Sequence, residues 1–388
     1  MIGPRATGKT TSARRLASSV VRLDVPAEAA AFRYDADSAL GTIPEPMLLD
    51  EWQEVPEIMG AVRRAVDDDP RPGRFLLTGS ARARRATDAW SGIGRVVSVR
   101  MYGLTEREAR GHSQGPGFIE RLTTGDLGGF SQPNDPPDLR GYIDLALRGG
   151  FPEPILRLGP AARQSWLDSY VDQLVTRDAE ALAGARNPVL LRRYFEALCL
   201  STAGYVQNKT VYDAAGVTRM TAQAYEHVLT DMFVLEAIPA WASNRLARLV
   251  KGPKRYVVDP SLAGSALRLN ASSVLRDGYL LGRFIDTFVV AQLRPEAELS
   301  PRRPRLYHLR EKDGRHEIDL LVEMGGGDVV AIEIKATSAP GPDDARHLAW
   351  LRDRLGGRFL AGAVLHTGPR PFVLADKILA LPICSIWS

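Results

Sequence analysis

Cysteine is nearly absent: Cys199 and Cys384 are the only two in 388 residues. They are too few for a disulfide framework or a four-ligand zinc centre. No apolar run reaches the roughly eighteen residues that a membrane-spanning helix needs. No secretory leader precedes the first motif, so a cytoplasmic protein without a membrane partner is expected. Lysine is scarce too. Of fifty basic residues, only Lys9, Lys209, Lys251, Lys254, Lys312, Lys335 and Lys377 are lysines. GC-rich coding accounts for such an arginine excess. A net charge of +4 on this length is too small to demand a polyanionic partner.

What is present is chemically pointed. Gly3-Pro4-Arg5-Ala6-Thr7-Gly8-Lys9-Thr10 is a complete G-x-x-x-x-G-K-[ST] phosphate-binding loop. Gly3 and Gly8 let the backbone curl so that successive N–H groups face one concavity. Lys9 can reach the β- and γ-phosphates, and Thr10 can ligate Mg²⁺. Thr11 begins a helix whose N-terminus would face the phosphates. ATP and Mg²⁺ are the expected ligands. Only Met1 and Ile2 precede the loop. The strand that should launch it therefore reads as missing, and an in-frame upstream segment of roughly five apolar residues is expected.

Pro46-Met47-Leu48-Leu49-Asp50-Glu51 is an apolar run ending in two acids, a strand that delivers carboxylates to the edge of a parallel sheet. Asp50 would hold Mg²⁺ and Glu51 would act as general base toward water. Alternatively the two acids simply open the following helix. Arg74–Ser80 reads as a third strand, with Thr78 and Ser80 as candidates to sense the γ-phosphate, or as a plain turn. Arg95–Met101 reads as a fourth. Arg82, Arg84, Arg85 or Arg95 could supply an arginine finger, and the sequence does not choose among them.

The runs Asp50–Pro56, Gly73–Ser80 and Gly149-Gly150-Phe151-Pro152-Glu153 resemble a large family of prokaryotic AAA-type ATPases over nearly the whole chain. That resemblance implies ATP binding, a winged-helix segment in the middle and a C-terminal fold similar to restriction endonucleases. The fold expected is α/β. It comprises a P-loop core at residues 1–110, a flexible insertion at 111–139, a helical lid at 140–187, a winged helix-turn-helix at 188–260 and a restriction-endonuclease-like domain at 261–388. In the lid the pair Gly149-Gly150 would let the backbone turn near the nucleotide, with Gly150 and Pro152 as candidate nucleotide contacts; a simple helix stop at Gly-Gly is the competing explanation.

In the middle segment Thr210–Ala215, Gly216 and Thr218–Leu229 read as helix, turn and second helix. Thr221, Gln223, Ala224 and His227 could face a groove. Arg245, Arg248, Lys251, Lys254 and Arg255 follow without an acid, a plausible wing for DNA phosphates. The alternative is a packing module whose cations are merely solvated.

Further on, His316–Val322 and Val329–Lys335 flank Gly325-Gly326-Gly327. A hairpin centred on Gly326 sets Asp319 opposite Glu333 and Glu317 opposite Lys335, all on one face. Opposed carboxylates repel unless a cation lies between them. Mg²⁺ or Lys335 would serve. This is the D…E-x-K pattern of restriction-like nucleases, with Asp319, Glu333 and Asp286 as metal ligands and Lys335 beside the phosphate. Asp286 stands where the family usually has Glu. The expected activity is ATP hydrolysis coupled to this nuclease-like module. The alternatives are a nucleotide-gated regulator that binds DNA or a protein partner and cuts nothing, and a degenerate ATPase whose loop lacks its first strand. A homo-oligomer is the further partner expected.

Overall fold

The structure is a computed structural model that describes residues 1–79, 94–132, 134–178, 187–249, 251–311 and 314–388. The chain divides into two compact units. One is Met1–Tyr102 with His227–Val234; the other is Gly103–Glu226 with Leu235–Ser388.

The first unit is built on a parallel sheet. Strands β1 (Ser19–Arg22), β2 (Met47–Asp50) and β3 (Phe75–Thr78) lie in that order. Met47, Leu48 and Leu49 are wholly buried, as a strand covered on both faces requires, and this explains why the run is unbroken rather than alternating. The helix Ile58–Asp68 turns Ile58, Ala61 and Val62 onto the same core. Beyond β3, Ile2 bridges both Gly79 and Arg100 in parallel. Gly79 N–H donates to Met1 O, and Ile2 exchanges bonds with Val99 O and Met101 N–H. Met1 and Ile2 thus occupy the strand position between β3 and Arg100. The strand expected over Arg95–Met101 contracts to a single bridge at Arg100, with residues 94–99 exposed. A ladder runs only as far as its partner offers backbone groups.

The second unit opens with helices, among them Leu139–Arg148, Pro152–Arg157 and Pro160–Gln173. Gly149 ends the first of these with φ 73° and packs against Ser261, while Gly150 N–H donates to the buried Asp259 at 2.7 Å. Helix Asn208–Ala215, a left-handed Gly216 (φ 67°) and helix Arg219–Asp231 come next in the chain. Strands β4 (Leu235–Ile238) and β5 (Lys254–Val257) then form an antiparallel ribbon.

The C-terminal part is a six-stranded mixed sheet in the order β10-β11-β9-β8-β7-β6. Its strands are β6 (Arg305–Arg310), β7 (Glu317–Glu323), β8 (Val329–Ile334), β9 (Phe359–His366), β10 (Phe372–Ala375) and β11 (Ile378–Pro382). The pairs β6–β7 and β7–β8 are antiparallel, and β8–β9 is parallel. The helix Arg346–Leu355 makes that parallel crossover and buries Leu348 and Leu351 on the sheet. The 22-residue helix Gly278–Leu299 precedes the sheet and carries Asp286. Leu320 pairs with Ile332 and Val322 with Val330, the register expected of a hairpin centred on Gly326.

Candidate functional site

The first chemical cluster lies at the carboxyl ends of β2 and β3. Gly3 has φ 151°, and a Cβ there would sit 2.1 Å from the Met101 carbonyl oxygen, so no larger residue fits. Gly8 has φ 88° and leads into the helix Lys9–Arg14. Between them Pro4, Arg5, Ala6 and Thr7 form the loop, closed by Thr7 Oγ1 donating to Pro4 O at 2.9 Å. Thr11 is exposed on the helix. The Lys9 side chain is buried and turns back, donating to Gly3 O at 3.1 Å and Pro4 O at 2.6 Å. Burial pulls its pKa down to about 8, against the opposing charge of Glu51.

Forty positions separate Thr10 from Asp50, yet Thr10 Oγ1 donates to Asp50 Oδ1 at 2.7 Å. Thr78 Oγ1 donates to the same oxygen, because parallel pairing sets Asp50 beside Thr78. A hydroxyl and a carboxylate, donor types of the kind Mg²⁺ takes, therefore stand together. Glu51 follows in a left-handed conformation (φ 53°) that swings its carboxylate out of the strand direction. It accepts from Gln53 Nε2. Sequence reading passed over Gln53; the signal was available in its place two residues past the acid pair. Ser80, Arg82, Arg84 and Arg85 lie outside the described residues. Arg95 forms an exposed ion pair with Asp67 at 2.8 Å, a contact too weak to fix its position. Gly150 and Pro152 belong to the second unit, where the Gly150 backbone is engaged by Asp259 and Leu104.

The second cluster lies on β7 and β8. Continuing the observed pairing places Asp319 opposite Glu333. Their neighbours Ile318, Leu320, Ile332 and Ile334 are buried in the sheet's core. Lys335 Nζ lies 3.3 Å from Glu333 Oε2, and Ile334 N–H donates to Asp319 Oδ2 at 3.1 Å. Asp286 feels the charges of Asp319, Lys254 and Lys335. The four residues of the expected nuclease-like pattern thus converge. A fifth, unexpected here, joins them: Lys254 Nζ reaches Asp319 Oδ1 at 3.1 Å and Glu317 Oε1 at 3.7 Å.

Ionisation follows from these neighbours. Burial, then the charge of Asp319, pushes Asp286 well above the carboxylate range; the same two causes raise Glu333. Burial works against Asp319 as well, but Lys254 beside it holds its pKa down to about 2. Burial alone would lower Lys254, and the carboxylates around it, Asp319 foremost, push it up instead.

Lys254 also corrects the expected basic wing. Its side chain is 2% exposed and cannot meet a DNA phosphate. Arg248 is equally engaged, bonding Glu323 through both terminal nitrogens at 2.6 and 2.8 Å while stacking on Trp241 and Tyr307. Lys251 Nζ donates to Arg310 O, and Arg255 pairs with Glu226 at 2.7 Å. Arg245 begins the short helix Arg245–Arg248. The stretch from Arg245 to Arg255 holds no acid; the fold brings Glu226, Glu317, Asp319 and Glu323 to its cations. The expected three-carboxylate metal shell is corrected for the same reason. Among the described residues no three His, Cys, Asp or Glu side chains are arranged to hold a metal ion. On the helix Arg219–Asp231, by contrast, Gln223, Ala224 and His227 are exposed and Thr221 is half-buried.

Comparison with known proteins bears on the first cluster. Residues 1–109 match the AAA domain family. The chain carries an AAA domain at its N-terminus. Residues 139–273 match a domain of unknown function (DUF8612), and residues 281–386 match another (DUF4143). Uncharacterized proteins of Mycobacterium bovis and Mycobacterium tuberculosis are each 28% identical to the chain over 387 residues, covering 98% of it and 79% of their own length. Among the described residues no helix is long and apolar enough to cross a membrane.

Proposed function

We propose that the AAA domain binds ATP with Mg²⁺ and hydrolyses it. The observation that carries this reading is Asp50 Oδ1 accepting from both Thr10 and Thr78 beside a buried Lys9. Lys9 would exchange the carbonyls of Gly3 and Pro4 for phosphate oxygens. Thr10 and Asp50 would hold Mg²⁺, which supplies charge neutralisation on the phosphates. Glu51 would take the proton of the attacking water, with Gln53 setting the direction of its carboxylate. Binding of a fluorescent ATP analogue and phosphate release test this together. Lys9→Ala should lose binding, and Glu51→Gln should keep binding while losing turnover. Equal turnover in wild type and Glu51→Gln would sink the hydrolytic role.

The second unit is read as a nucleic-acid-binding module that cuts nothing. The order of long helix, three antiparallel strands, crossover helix and parallel strand supports a restriction-endonuclease-like fold. The helix–turn–helix followed by the β4–β5 ribbon supports a winged helix. Lys254 within the carboxylate cluster favours binding over cleavage. A surface on the helix Arg219–Asp231, around Gln223 and Ala224, is the proposed DNA contact. Fluorescence anisotropy with duplex DNA across a salt series tests it. Binding unaffected by Gln223→Glu with Ala224→Glu would remove that surface from the proposal.

A further inference from the structure

We propose that Lys254 is a built-in cation that takes the place of a divalent metal among Asp286, Asp319 and Glu333, and so keeps metal out of this centre. The inference rests on the nuclease-like reading of the C-terminal module and is independent of the ATPase reading.

The argument is one of occupancy. Of the four carboxylate oxygens on Asp319 and Glu333, three are engaged: Oδ1 of Asp319 by Lys254, Oδ2 by the backbone of Ile334, and Oε2 of Glu333 by Lys335. Glu333 Oε1, buried and without a hydrogen-bond partner, is the fourth. These two residues thus leave one free oxygen between them, whereas Mg²⁺ and Mn²⁺ favour several convergent oxygens with near-octahedral order. An ion that displaced the ammonium from Asp319 would also face Lys254 itself, a like charge held inside the protein.

Lys254 is not free to withdraw. The segment that carries it is tied to β6 and β7 at several points. Arg248 clamps Glu323, Lys251 holds Arg310 O, and Gly252 O meets His308 Nε2 at 3.1 Å. Ala240, next to the partner strand of Lys254, bridges His308 on the sheet edge. Four contacts along the chain that leads into the lysine fix its reach. An ammonium that is 2% exposed and bonded to a carboxylate is a structural counter-ion, where a solvated wing lysine would be mobile.

Sequence alone hides this arrangement. The D…E-x-K pattern supplies one lysine, Lys335, at the place where catalysis would use it. The second arrives from β5, more than sixty positions earlier than Asp319 in the chain. Two ammonium groups then face carboxylates that would otherwise attract a dication.

The test is Mn²⁺ titration, followed by electron paramagnetic resonance, on the full chain without nucleotide. Four proteins are compared: wild type, Asp319→Asn, Lys254→Met and the double variant. All share the same phosphate loop, so any Mn²⁺ bound there cancels. Wild type and Asp319→Asn should bind equal amounts of Mn²⁺. Lys254→Met should gain about one equivalent, and the double variant should lose it again, because removal of the ammonium frees convergent carboxylates. Loss of a bound equivalent on going from wild type to Asp319→Asn would overturn the proposal, as would a folded Lys254→Met that gains none. If Lys254→Met folds only when Mn²⁺ is supplied, the proposal stands. If it fails to fold in either condition, the comparison of wild type with Asp319→Asn decides alone.

Discussion

Two buried lysines meet opposite surroundings in this protein. Lys9 is 5% exposed and donates to neutral carbonyl oxygens of its own loop; burial pulls its pKa down to about 8. Lys254 is 2% exposed and donates to a carboxylate; its pKa is pushed up. Desolvation penalises both charges equally in kind. The partners decide the outcome. A buried ammonium held by dipoles alone still gains from an anion, and a triphosphate supplies one. A buried ammonium facing Asp319 and Glu317 has its anions already. The first is the lysine of the proposed nucleotide site; the second is a finished ion pair.

The comparison breaks most visibly through turnover. Glu51→Gln keeps the loop and its lysine, so ATP affinity should hold while steady-state hydrolysis falls by about 10²–10⁴-fold, the usual contribution of a general base. A proportional fall in affinity would show that Glu51 serves the loop rather than the water.

Lys254→Ala comes next. It leaves Asp319 buried beside Glu317 and Glu333 without its counter-ion, a change that typically costs about 3–5 kcal/mol. Denaturant unfolding should show that loss, and Asp319→Asn in the same chain should recover part of it. Lys9→Ala should have the reverse signature. Fold stability should change little or rise, because no carboxylate loses a bonded partner. Nucleotide affinity should fall by about 10- to 100-fold, on loss of charged hydrogen bonds worth ~1.5–3 kcal/mol. Calorimetric titration with ATP reads the second quantity.

The smallest effect uses His308 as a reporter. Burial, and then the nearby ammonium of Lys254, pull its pKa to about 4. The unfolded chain therefore binds more protons than the folded one between the ordinary value of 6.5 and about 4. Stability is complete above that window and is lost as pH falls through it, by up to about 3 kcal/mol for this ring. Lys254→Met should move the His308 resonance titration upward and shallow the acid loss. An unchanged midpoint would place the Lys254 charge further from the ring than the Gly252–His308 contact implies.

Much of this was legible in residue order. The loop from Gly3 to Thr10 announces itself because phosphate binding needs consecutive backbone groups, and consecutive groups are a sequence motif. The hairpin register was legible for a similar reason: strand alternation and a glycine turn set Asp319 against Glu333 with no knowledge of the rest. The two helices on either side of Gly216 were read from the same kind of local signal. Readings that needed distant partners fared worse. The strand over Arg95–Met101 depended on its pairing with Ile2, which the structure limits to one bridge. The basic wing depended on acids that are distant in the sequence.

By itself, then, the sequence determined which local shapes form, because turns, periodicity and loop motifs are set by neighbours along the chain. Only the tertiary structure decided which charges meet. Coulomb partners are chosen by distance in space, and burial makes that choice matter by removing the water that would screen it. Lys254 read as a wing cation for DNA phosphates when only its neighbours were known. Folded, it is the counter-ion of Asp319 at 3.1 Å, and the carboxylate face behind it takes its character from that one contact.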